Sequence, residues 1–276
     1  NNLDTKINNL VISAKLSGNA LDRKTISANQ GFYNSSADTI TWDKNTKFGF
    51  AEVNPGDAGS VSFSVSPVSL FSDSSGMLAQ PVINIEVSIK GSNAFEGNTV
   101  KEINNSESKI IRIISDAGLI AKVLYSSGPF TNTGPIPPKV GVHTIYTINW
   151  ALSNTSNNIS KAKINATLPS WVSFVGTISP SGENLTYNPA TKQITWDIGG
   201  IPTGTGITGA DRQVSFQLDL NPSSSQVGNS PILINNAILT GHDDFANVDI
   251  TVNKNSLNTQ LFNDPAFPNS GSRVVE

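Results

Sequence analysis

The tetrapeptide "ITWD" occurs twice in this chain of 276 residues, at 40–43 and at 194–197. The chain has only four tryptophans. A repeated Trp-centred tetrapeptide therefore indicates either a catalytic motif used twice or one fold built twice. Each isoleucine precedes its tryptophan by two residues, which places both side chains on one face of a strand. The sequence around the two copies decides between the alternatives.

The match between the two copies extends on both sides of the tetrapeptide and keeps the same order. The matched segments are "NLVISAKL" (9–16) with "KAKINATL" (161–168), "TIS" at 25–27 with 177–179, Tyr33-Asn34 with Tyr187-Asn188, "VSFSV" (61–65) with "VSFQL" (214–218), Pro81 with Pro231, Gly91 with Gly241, and Phe95 with Phe245. The offset stays between 150 and 154 residues, so short loop insertions account for its drift. Matching segments over this length predict a duplicated domain. We expect domains at residues 1–115 and 116–276, the second with a C-terminal tail.

Alternation of apolar and polar residues, which is typical of strands, dominates the chain. In 143–154, Tyr146, Ile148, Trp150 and Leu152 share one face. Further strand-like segments are 162–169, 213–220, 234–241, and 185–198, which reads as two strands around a turn at Asn188-Pro189. The Ile-rich segment 107–125 favours two strands over a helix, because it is rich in β-branched residues and contains Gly118. We expect an all-β fold of two tandem immunoglobulin-like sandwiches.

Two segments of the second copy, 118–128 and 143–154, have no counterpart in the first. An offset of 152 aligns Asn1 with Ser153, so the first sandwich is predicted to lack its opening strands. We expect these strands either upstream in the same longer protein or donated by another chain. A third alternative is a domain that is complete with fewer strands. A face without them would expose apolar side chains and unpaired strand edges.

The composition excludes several classes of function. Charged residues make up 14% of the chain, the net charge is −3, and no Lys/Arg cluster occurs, so nucleic-acid binding is disfavoured. Cysteine is absent, which excludes disulfides, thiolate chemistry and Cys-ligated zinc, and which suits an extracellular location. No stretch approaches the ~20 apolar residues of a membrane span.

A series of motifs in the second copy resembles the bacterial conserved repeat domain, an immunoglobulin-like module of large surface proteins. The motifs are "YTINWALSNTSNNISKAKINATLPSWVSFVG" (146–176), "ITWDIGGI" (194–201), "VSFQL" (214–218) and "NNAILTG" (235–241). The resemblance is looser over residues 1–115, where Ser17-Gly18 stands in place of the Leu-Pro of the pattern. It implies tandem modules at the cell surface or outside the cell, with scaffolding, adhesive or stalk roles and no catalysis.

The expected function is therefore that of a non-catalytic structural or adhesive module, acting as a rod-like spacer or scaffold in a surface or extracellular filament protein. Its expected partners are other modules of the same longer protein or neighbouring copies. The alternative is a carbohydrate- or protein-binding module that uses loops at the ends of the sandwich.

Six apolar residues on the matched strands are predicted to anchor the two cores: Ile40, Trp42, Phe63, Ile194, Trp196 and Phe216. Stacking of the two repeated tryptophans on sugars is the alternative, but repetition at one structural position favours the core. Trp171, which follows Pro169-Ser170, is the candidate for an exposed aromatic contact.

The loop "GHDDFANVD" (241–249) is a candidate calcium site. It offers Asp243, Asp244, Asn247 and Asp249, whose oxygens are the hard ligands that Ca²⁺ prefers. A solvated turn is the alternative reading, because the loop lacks EF-hand spacing and a bidentate Glu. The matching loop of the first copy contains only Glu96, which argues against a shared site. We expect no other cofactor.

Candidates for catalysis are few. His143 stands at a strand start, and His242 follows Gly241 in a predicted turn. Asp43 and Asp197 each follow the repeated tryptophan and are expected to serve turns or caps instead of acid–base chemistry. We therefore expect no enzyme.

A Lys–Asn isopeptide crosslink, between Lys163 and Asn235 or Asn236, is a further alternative. Such a bond needs a buried lysine. Lys163 alternates with Ile164 and is expected to face solvent.

Overall fold

The computed structural model describes residues 1–72, 76–94, 100–262, 264, 266–268 and 270–276. The chain forms two compact units, Asn1–Ile113 (unit 1) and Ile114–Glu276 (unit 2). The division falls two residues before the one expected from the sequence. Antiparallel strands make up nearly all regular structure, and helical conformation in the described residues is confined to three short 3₁₀ turns. The prediction of an all-β fold is confirmed.

Unit 2 consists of two facing sheets and one short accessory pair. Its strands are β11 Ala117–Leu124, β12 Thr144–Asn154, β13 Ile159–Thr167, β14 Val172–Ser179, β15 Asn184–Asn188, β16 Gln193–Ile201, β17 Arg212–Leu220, β18 Ile232–Ile234, β19 Ala237–Asp243, β20 Val248–Lys254 and β21 Leu257–Asn258, with a 3₁₀ turn at Ser224–Gln226. One sheet has the order β11-β12-β17-β14, and the other has the order β15-β16-β13-β19-β20. Strands β18 and β21 pair separately.

The core of unit 2 lies between these sheets, and β12 forms its centre. The alternation predicted for β12 is confirmed, since Tyr146, Ile148, Trp150 and Leu152 are all buried. The Trp150 ring meets the Phe216 ring edge-on, with 5.0 Å between centroids. Each such large side chain contributes about 1.5–3 kcal/mol when it is removed from water. The whole sandwich is therefore held by the apolar faces of both sheets.

Unit 1 has one large sheet and a much smaller second layer. Its strands are β1 Ile7–Ser17, β2 Ser27–Asn29, β3 Phe32–Asn34, β4 Thr39–Trp42, β5 Glu52–Val53, β6 Ser62–Ser64, β7 Phe71–Ser72, β8 Gly76–Met77, β9 Val82–Ala94 and β10 Val100–Arg112, with 3₁₀ turns at Arg23–Thr25 and Phe48–Phe50. The large sheet has the order β10-β9-β1-β4-β3, and β5 pairs with β1. The second layer contains the pair β2-β6, and β7-β8 pair separately.

Comparison of the two strand orders assigns each strand of unit 1 to a strand of unit 2. The sheet β10-β9-β1-β4-β3 corresponds to β20-β19-β13-β16-β15, and β6-β2 corresponds to β17-β14. Nothing among the described residues of unit 1 corresponds to β11 or β12. Within the described part of residues 1–113, the two opening strands are thus not found, as the sequence predicts.

The ladders of the two units share their register. Ile12 lies opposite Trp42, and Ile164 lies opposite Trp196. Strands β1 and β13 also carry a β-bulge at the same place, where Asn9 and Lys161 have φ values of 50° and 52°. Non-glycine residues rarely adopt this left-handed conformation, so its recurrence strongly supports duplication of one backbone.

Two matched glycines show the same close approach between strands. A Cβ on Gly91 would lie 2.7 Å from Ile7 Cγ2, and a Cβ on Gly241 would lie 2.6 Å from Ile159 Cγ2. The expectation that Gly241 closes its strand and that His242 lies in a turn is wrong. Both residues lie inside β19, because glycine there lets the isoleucine of the neighbouring strand pack across the ladder.

The alignment of the two "TIS" tripeptides is wrong by two residues. Ala28 lies opposite Phe63, and Ile178 lies opposite Phe216 at the equivalent place in unit 2. Ala28 therefore corresponds to Ile178. Strand pairing aligns the two units more reliably than the identity of three residues does. A change in loop length can move a short tripeptide along the sequence without changing which residues pair in the ladder.

Candidate functional site

The repeated "ITWD" motif lies in the cores of the two units. Trp42 and Trp196 are 1% and 0% exposed, and Ile40 and Ile194 are fully buried beside them. The Trp42 indole N–H donates to the Asn29 carbonyl at 2.9 Å. These side chains offer no ring face to a sugar. Their burial is that of structural anchors.

The remaining two predicted anchors differ from each other. Phe216 is fully buried in unit 2, where β12 pairs alongside its strand. Phe63, at the same position in unit 1, is only partly buried and packs against its core from one side. Its ring centroid lies 6.3 Å from that of Trp42. The difference follows from the strands that unit 1 lacks.

Trp171 is the exposed aromatic residue that the sequence indicated. It lies just before β14 and is 37% exposed. Its indole N–H donates to the Ile232 carbonyl at 2.8 Å, which fixes the ring at one edge of unit 2. The residue is thus a partly exposed, positioned aromatic side chain.

The loop 241–249 has Asp243 as its centre, and this residue is fully buried. One carboxylate oxygen accepts hydrogen bonds from the N–H groups of Phe245 and Ala246, at 3.0 and 2.8 Å. The other accepts from the Ser115 N–H and from the Asn157 side-chain amide, both at 2.8 Å. Asp243 therefore serves as a buried acceptor that joins the start of unit 2 to its loops.

The other three residues of the calcium hypothesis have separate surroundings. Asp244 accepts a hydrogen bond from the Ser160 hydroxyl, Asp249 pairs with His242, and Asn247 adopts a left-handed φ of 57° in the turn. Within the described part of the chain, no three His, Cys, Asp or Glu side chains group as metal ligands. Calcium binding stays a prediction, and it would require several of these bonds to break. Glu96 of the matching loop lies outside the described residues.

Each of the two histidines is paired with one carboxylate on the neighbouring strand. His143 Nδ1 lies 2.6 Å from Asp219, and His242 Nδ1 lies 2.8 Å from Asp249. The hydrogen bond to Asp249 raises the pKa of His242. These pairs link strands at the surface of unit 2.

The two aspartates that follow the repeated tryptophan have different roles, so the expectation of a shared turn or cap is wrong for one of them. Asp43 accepts hydrogen bonds from the N–H groups of Asn45 and Thr46 after the end of β4, which lowers its pKa. Asp197 lies exposed inside β16, because that strand continues past the tryptophan to Ile201. Lys163 is exposed as well.

A network of buried polar groups around Asp243 was missed by the sequence reading. The Ser115 hydroxyl donates to the Asn154 side-chain oxygen at 2.6 Å, and the Asn154 amide donates to the Asn157 carbonyl at 2.7 Å. All four residues are buried. In an Asn- and Ser-rich chain, single polar residues carry no signal of burial. The only sequence signal was their position between strands of strong alternation.

The path of the chain through unit 2 runs from one end of the sandwich to the other. Ala117 at the start of β11 lies opposite Asn154, at one end of β12. Val275 exchanges backbone hydrogen bonds with Pro138 and Val140, in the segment whose Pro135 carbonyl accepts the hydroxyl of Thr144 at the other end. A strand of eleven residues spans about 35 Å. The chain therefore enters and leaves unit 2 at opposite ends of β12.

Unit 1 has the same kind of path. The Asn1 side chain donates to the Val53 carbonyl, and Val53 pairs with Ile7 near the Ser92 end of β9. The N–H of Ile113 donates to the carbonyl of Pro81 at the opposite end. Strand β9 has thirteen residues and spans about 40 Å. Asn1 and Ile113 thus lie near opposite ends of β9.

Unit 1 has an apolar groove of about 520 Å³, called the open groove below. Its floor consists of Ile12, Phe63, Ile85, Val87 and Ile89, and its wall is the β10 segment 105–109. Val87 is 37% exposed. The alternation of apolar residues at 83, 85, 87 and 89 could have indicated this face from the sequence.

No protein-family model matches the chain, and no curated protein sequence matches it. In the described residues, no helix is long and apolar enough to cross a membrane.

Three solved structures illustrate what the fold is similar to. The full-length major pilin SpaD from Corynebacterium diphtheriae is 10% identical, with a TM-score of 0.34, and the match covers 92% of this chain and 59% of that one. The major pilin subunit BcpA of Bacillus cereus is 9% identical, with a TM-score of 0.34 and coverages of 90% and 68%. The C-terminal domain of the Streptococcus pyogenes antigen I/II-family protein AspA is 11% identical, with a TM-score of 0.29 and coverages of 90% and 84%. Similarities at these levels support no inference about function.

Proposed function

We propose that this chain is a non-catalytic structural or adhesive module of a bacterial surface or extracellular filament protein, in which it acts as a spacer. The observation that carries the proposal is that Ala117 and Val275 lie at opposite ends of the long strands of unit 2. Tension then loads the hydrogen bonds of a ladder together, in shear. A ladder loaded from one end breaks bond by bond.

Further support comes from the way the chemistry-bearing side chains are used. Asp243 is bonded to protein donors, and His143 and His242 are each paired with a carboxylate across a ladder. The polar network that links Ser115 to Asp243 also ties the first strand of unit 2 to the opposite sheet, at the place where tension would enter.

Single-molecule stretching with cysteine handles tests the spacer role, and the cysteine-free sequence permits handles at any exposed position. One variant carries Asp116→Cys and Glu276→Cys, at opposite ends of unit 2. Its matched control carries Asp116→Cys and Thr208→Cys, since Thr208 is exposed in a loop whose Thr205 carbonyl accepts the N–H of Asn154. We expect a clearly higher unfolding force for the opposite-end pair. An equal or lower force would overturn the proposal.

A binding module that uses loops at the sandwich ends is the second candidate, favoured by the exposure of Trp171. A glycan array with the native chain and a Trp171→Ala variant tests it. Saturable binding that the variant loses would establish recognition in addition to spacing.

A further inference from the structure

We propose that unit 1 binds an extended, uncharged polypeptide segment from outside residues 1–276, with large apolar side chains at alternate positions, which adds as one antiparallel strand to β6 and fills the open groove. The position of the added strand, the chemistry of its side chains and the addition of one strand instead of two each follow from comparison with unit 2.

The floor of the open groove has a buried equivalent in unit 2. Ile12 and Ile89 lie opposite each other in the β1-β9 ladder, as Ile164 and Leu239 do in the β13-β19 ladder. In unit 2 both residues are fully buried, whereas in unit 1 both are only partly buried. Unit 1 thus presents an apolar face that the same fold covers elsewhere in this chain.

In unit 2, β12 belongs to the other sheet, and its apolar residues share one core cluster with Ile164 and Leu239. It pairs with β17 so that Ile148 lies opposite Phe216 and Trp150 lies opposite Val214. The equivalents of these two partners in unit 1 are Phe63 and Val61, on and beside β6. The occupant of the open groove is therefore expected to present the alternating apolar face of β12.

Strand β6 has an edge that can accept a new strand. Among the described residues it pairs only with β2, through Ser62, Phe63 and Ser64. Its equivalent, β17, has β14 on one edge and β12 on the other. An unpaired edge beside an apolar groove is the arrangement that strand addition uses: backbone hydrogen bonds supply affinity, and pockets for alternate side chains supply selectivity.

The wall of the open groove indicates a single strand instead of a pair. Asn105 lies opposite Ile89, where unit 2 has Val252 opposite Leu239. In unit 2, β20 carries Val252 and lies against β11. In unit 1 the corresponding position is polar and exposed, so a second added strand would bury it without a partner.

The charges around the groove indicate an uncharged occupant. Glu107 lies opposite Val87, and Lys109 lies opposite Ile85, so one carboxylate and one ammonium border an apolar floor. The two charges balance, and a charged side chain placed on the floor would lose its hydration without a counter-ion. Strand β12 contains no Asp, Glu, Lys or Arg, which makes its sequence a suitable probe.

A synthetic peptide with the sequence of residues 143–154 tests the proposal on the full chain. Fluorescence anisotropy of the labelled peptide reports binding, and hydrogen exchange reports where it binds. We expect saturable binding with increased protection of Ser62, Phe63 and Ser64 and a stabilised unit 1. A peptide with Ile148→Asp and Trp150→Asp should bind at least about tenfold more weakly, because two charges would face the apolar floor.

The matched protein variants are Val87→Lys and Ile110→Lys. Both residues are exposed on the same β9-β10 hairpin, but Ile110 lies opposite Asn84 and faces away from the groove. We expect Val87→Lys to weaken peptide binding at least about tenfold and Ile110→Lys to leave it unchanged. Absence of saturable binding, or equal binding by both variants, would overturn the proposal. So would self-association of the chain that Val87→Lys alone abolishes, because a second copy would then occupy the groove.

Discussion

Trp42 in unit 1 and Trp196 in unit 2 stand at the same place in the same ladder and are equally buried, yet the cores around them differ greatly in size. Among the described residues, the cluster around Trp196 has 27 buried apolar members, and the cluster around Trp42 has nine. The strand order, the register, the bulge and the close-packed glycine are shared. The number of strands that cover the sheet is what separates the two units.

This comparison shows that a ladder and the layer that covers it are independent features of a sandwich. Strand β20 has alternating partly buried residues, whereas β10 is exposed along almost its whole length. The same pairing geometry therefore gives a closed core in one unit and an open face in the other. Four predictions test how far the equivalence of the units extends.

Removal of the repeated tryptophans should have the largest effect. Trp42→Ala and Trp196→Ala should each cost about 3–5 kcal/mol, because each leaves a large cavity. The loss should unfold unit 1, with its small core, while unit 2 should keep its fold. Hydrogen exchange measured by mass spectrometry resolves the two units in the same sample. Retention of native protection in unit 1 of Trp42→Ala would show that its core does not depend on the shared anchor.

Asp243 and Asn93 occupy the same buried position in the two units. Their replacement by alanine should have the second largest effect on stability. Asp243→Ala should destabilise unit 2 by about 3 kcal/mol or more, because it leaves several buried donors without an acceptor. Asn93→Ala should cost less, since among the described residues the Asn93 side-chain amide donates a single hydrogen bond, to the Thr5 hydroxyl at 3.2 Å. Denaturant titrations with and without millimolar calcium measure the free energy of unfolding of the native chain and of both variants. A calcium-dependent stability of the native chain that Asp243→Ala abolishes would revive the calcium hypothesis.

The matched glycines should give a smaller and graded effect. Gly241→Ala should cost about 1–3 kcal/mol, because its Cβ would meet the buried Ile159 at 2.6 Å. Gly91→Ala should cost less, because Ile7 is only partly buried and can move aside. Thermal unfolding combined with unit-resolved hydrogen exchange gives both values. Equal costs would mean that the two ladders are equally rigid at this place.

The pH response should be the smallest effect and should have opposite signs in the two units. Hydrogen bonds from Arg23 and Tyr33 lower the pKa of Asp38 in unit 1, so its contribution is present above pH ~4 and is lost as the pH falls through the lowered value. The hydrogen bond to Asp249 raises the pKa of His242 in unit 2, so its contribution is present below pH ~6.5 and is lost as the pH rises through the raised value.

Unfolding of the native chain between pH 2 and pH 9 measures these contributions, with Asp38→Asn and His242→Gln as matched controls. Each variant should flatten the pH dependence of its own unit and leave that of the other unchanged. A flattened profile in the wrong unit would contradict the assignment.

Much of the fold could be predicted from particular residues. The alternation in 143–154 indicated β12, and β-branched residues with Gly118 indicated that 107–125 forms two strands; β10 and β11 confirm the second prediction. The matches of Gly91 with Gly241 and of Tyr33-Asn34 with Tyr187-Asn188 located equivalent places in the two ladders. These signals are local, because side-chain direction in a strand repeats every two residues.

The site-level predictions depended on contacts that are distant in sequence. Asp243 was expected in a solvated or calcium-binding loop, but it is buried, and the backbone N–H of Ser115, 128 residues earlier, donates a hydrogen bond to it. Asp197 was expected at a turn, but β16 continues through it to Ile201. The matching strand β4 ends at Trp42, one residue before Asp43. Neither outcome could be read from the neighbouring sequence, since it depends on which strand lies alongside.

The sequence by itself determined the all-β fold and the place of the repeated tryptophans, and it predicts a duplication, because periodicity and repeated identity are read over short distances along the chain. The tertiary structure alone decided which polar residues are buried, where the chain enters and leaves each unit, and that Phe63 is partly open while Phe216 is closed. Those features depend on strands that meet in space, and the burial of a side chain is set by what covers it.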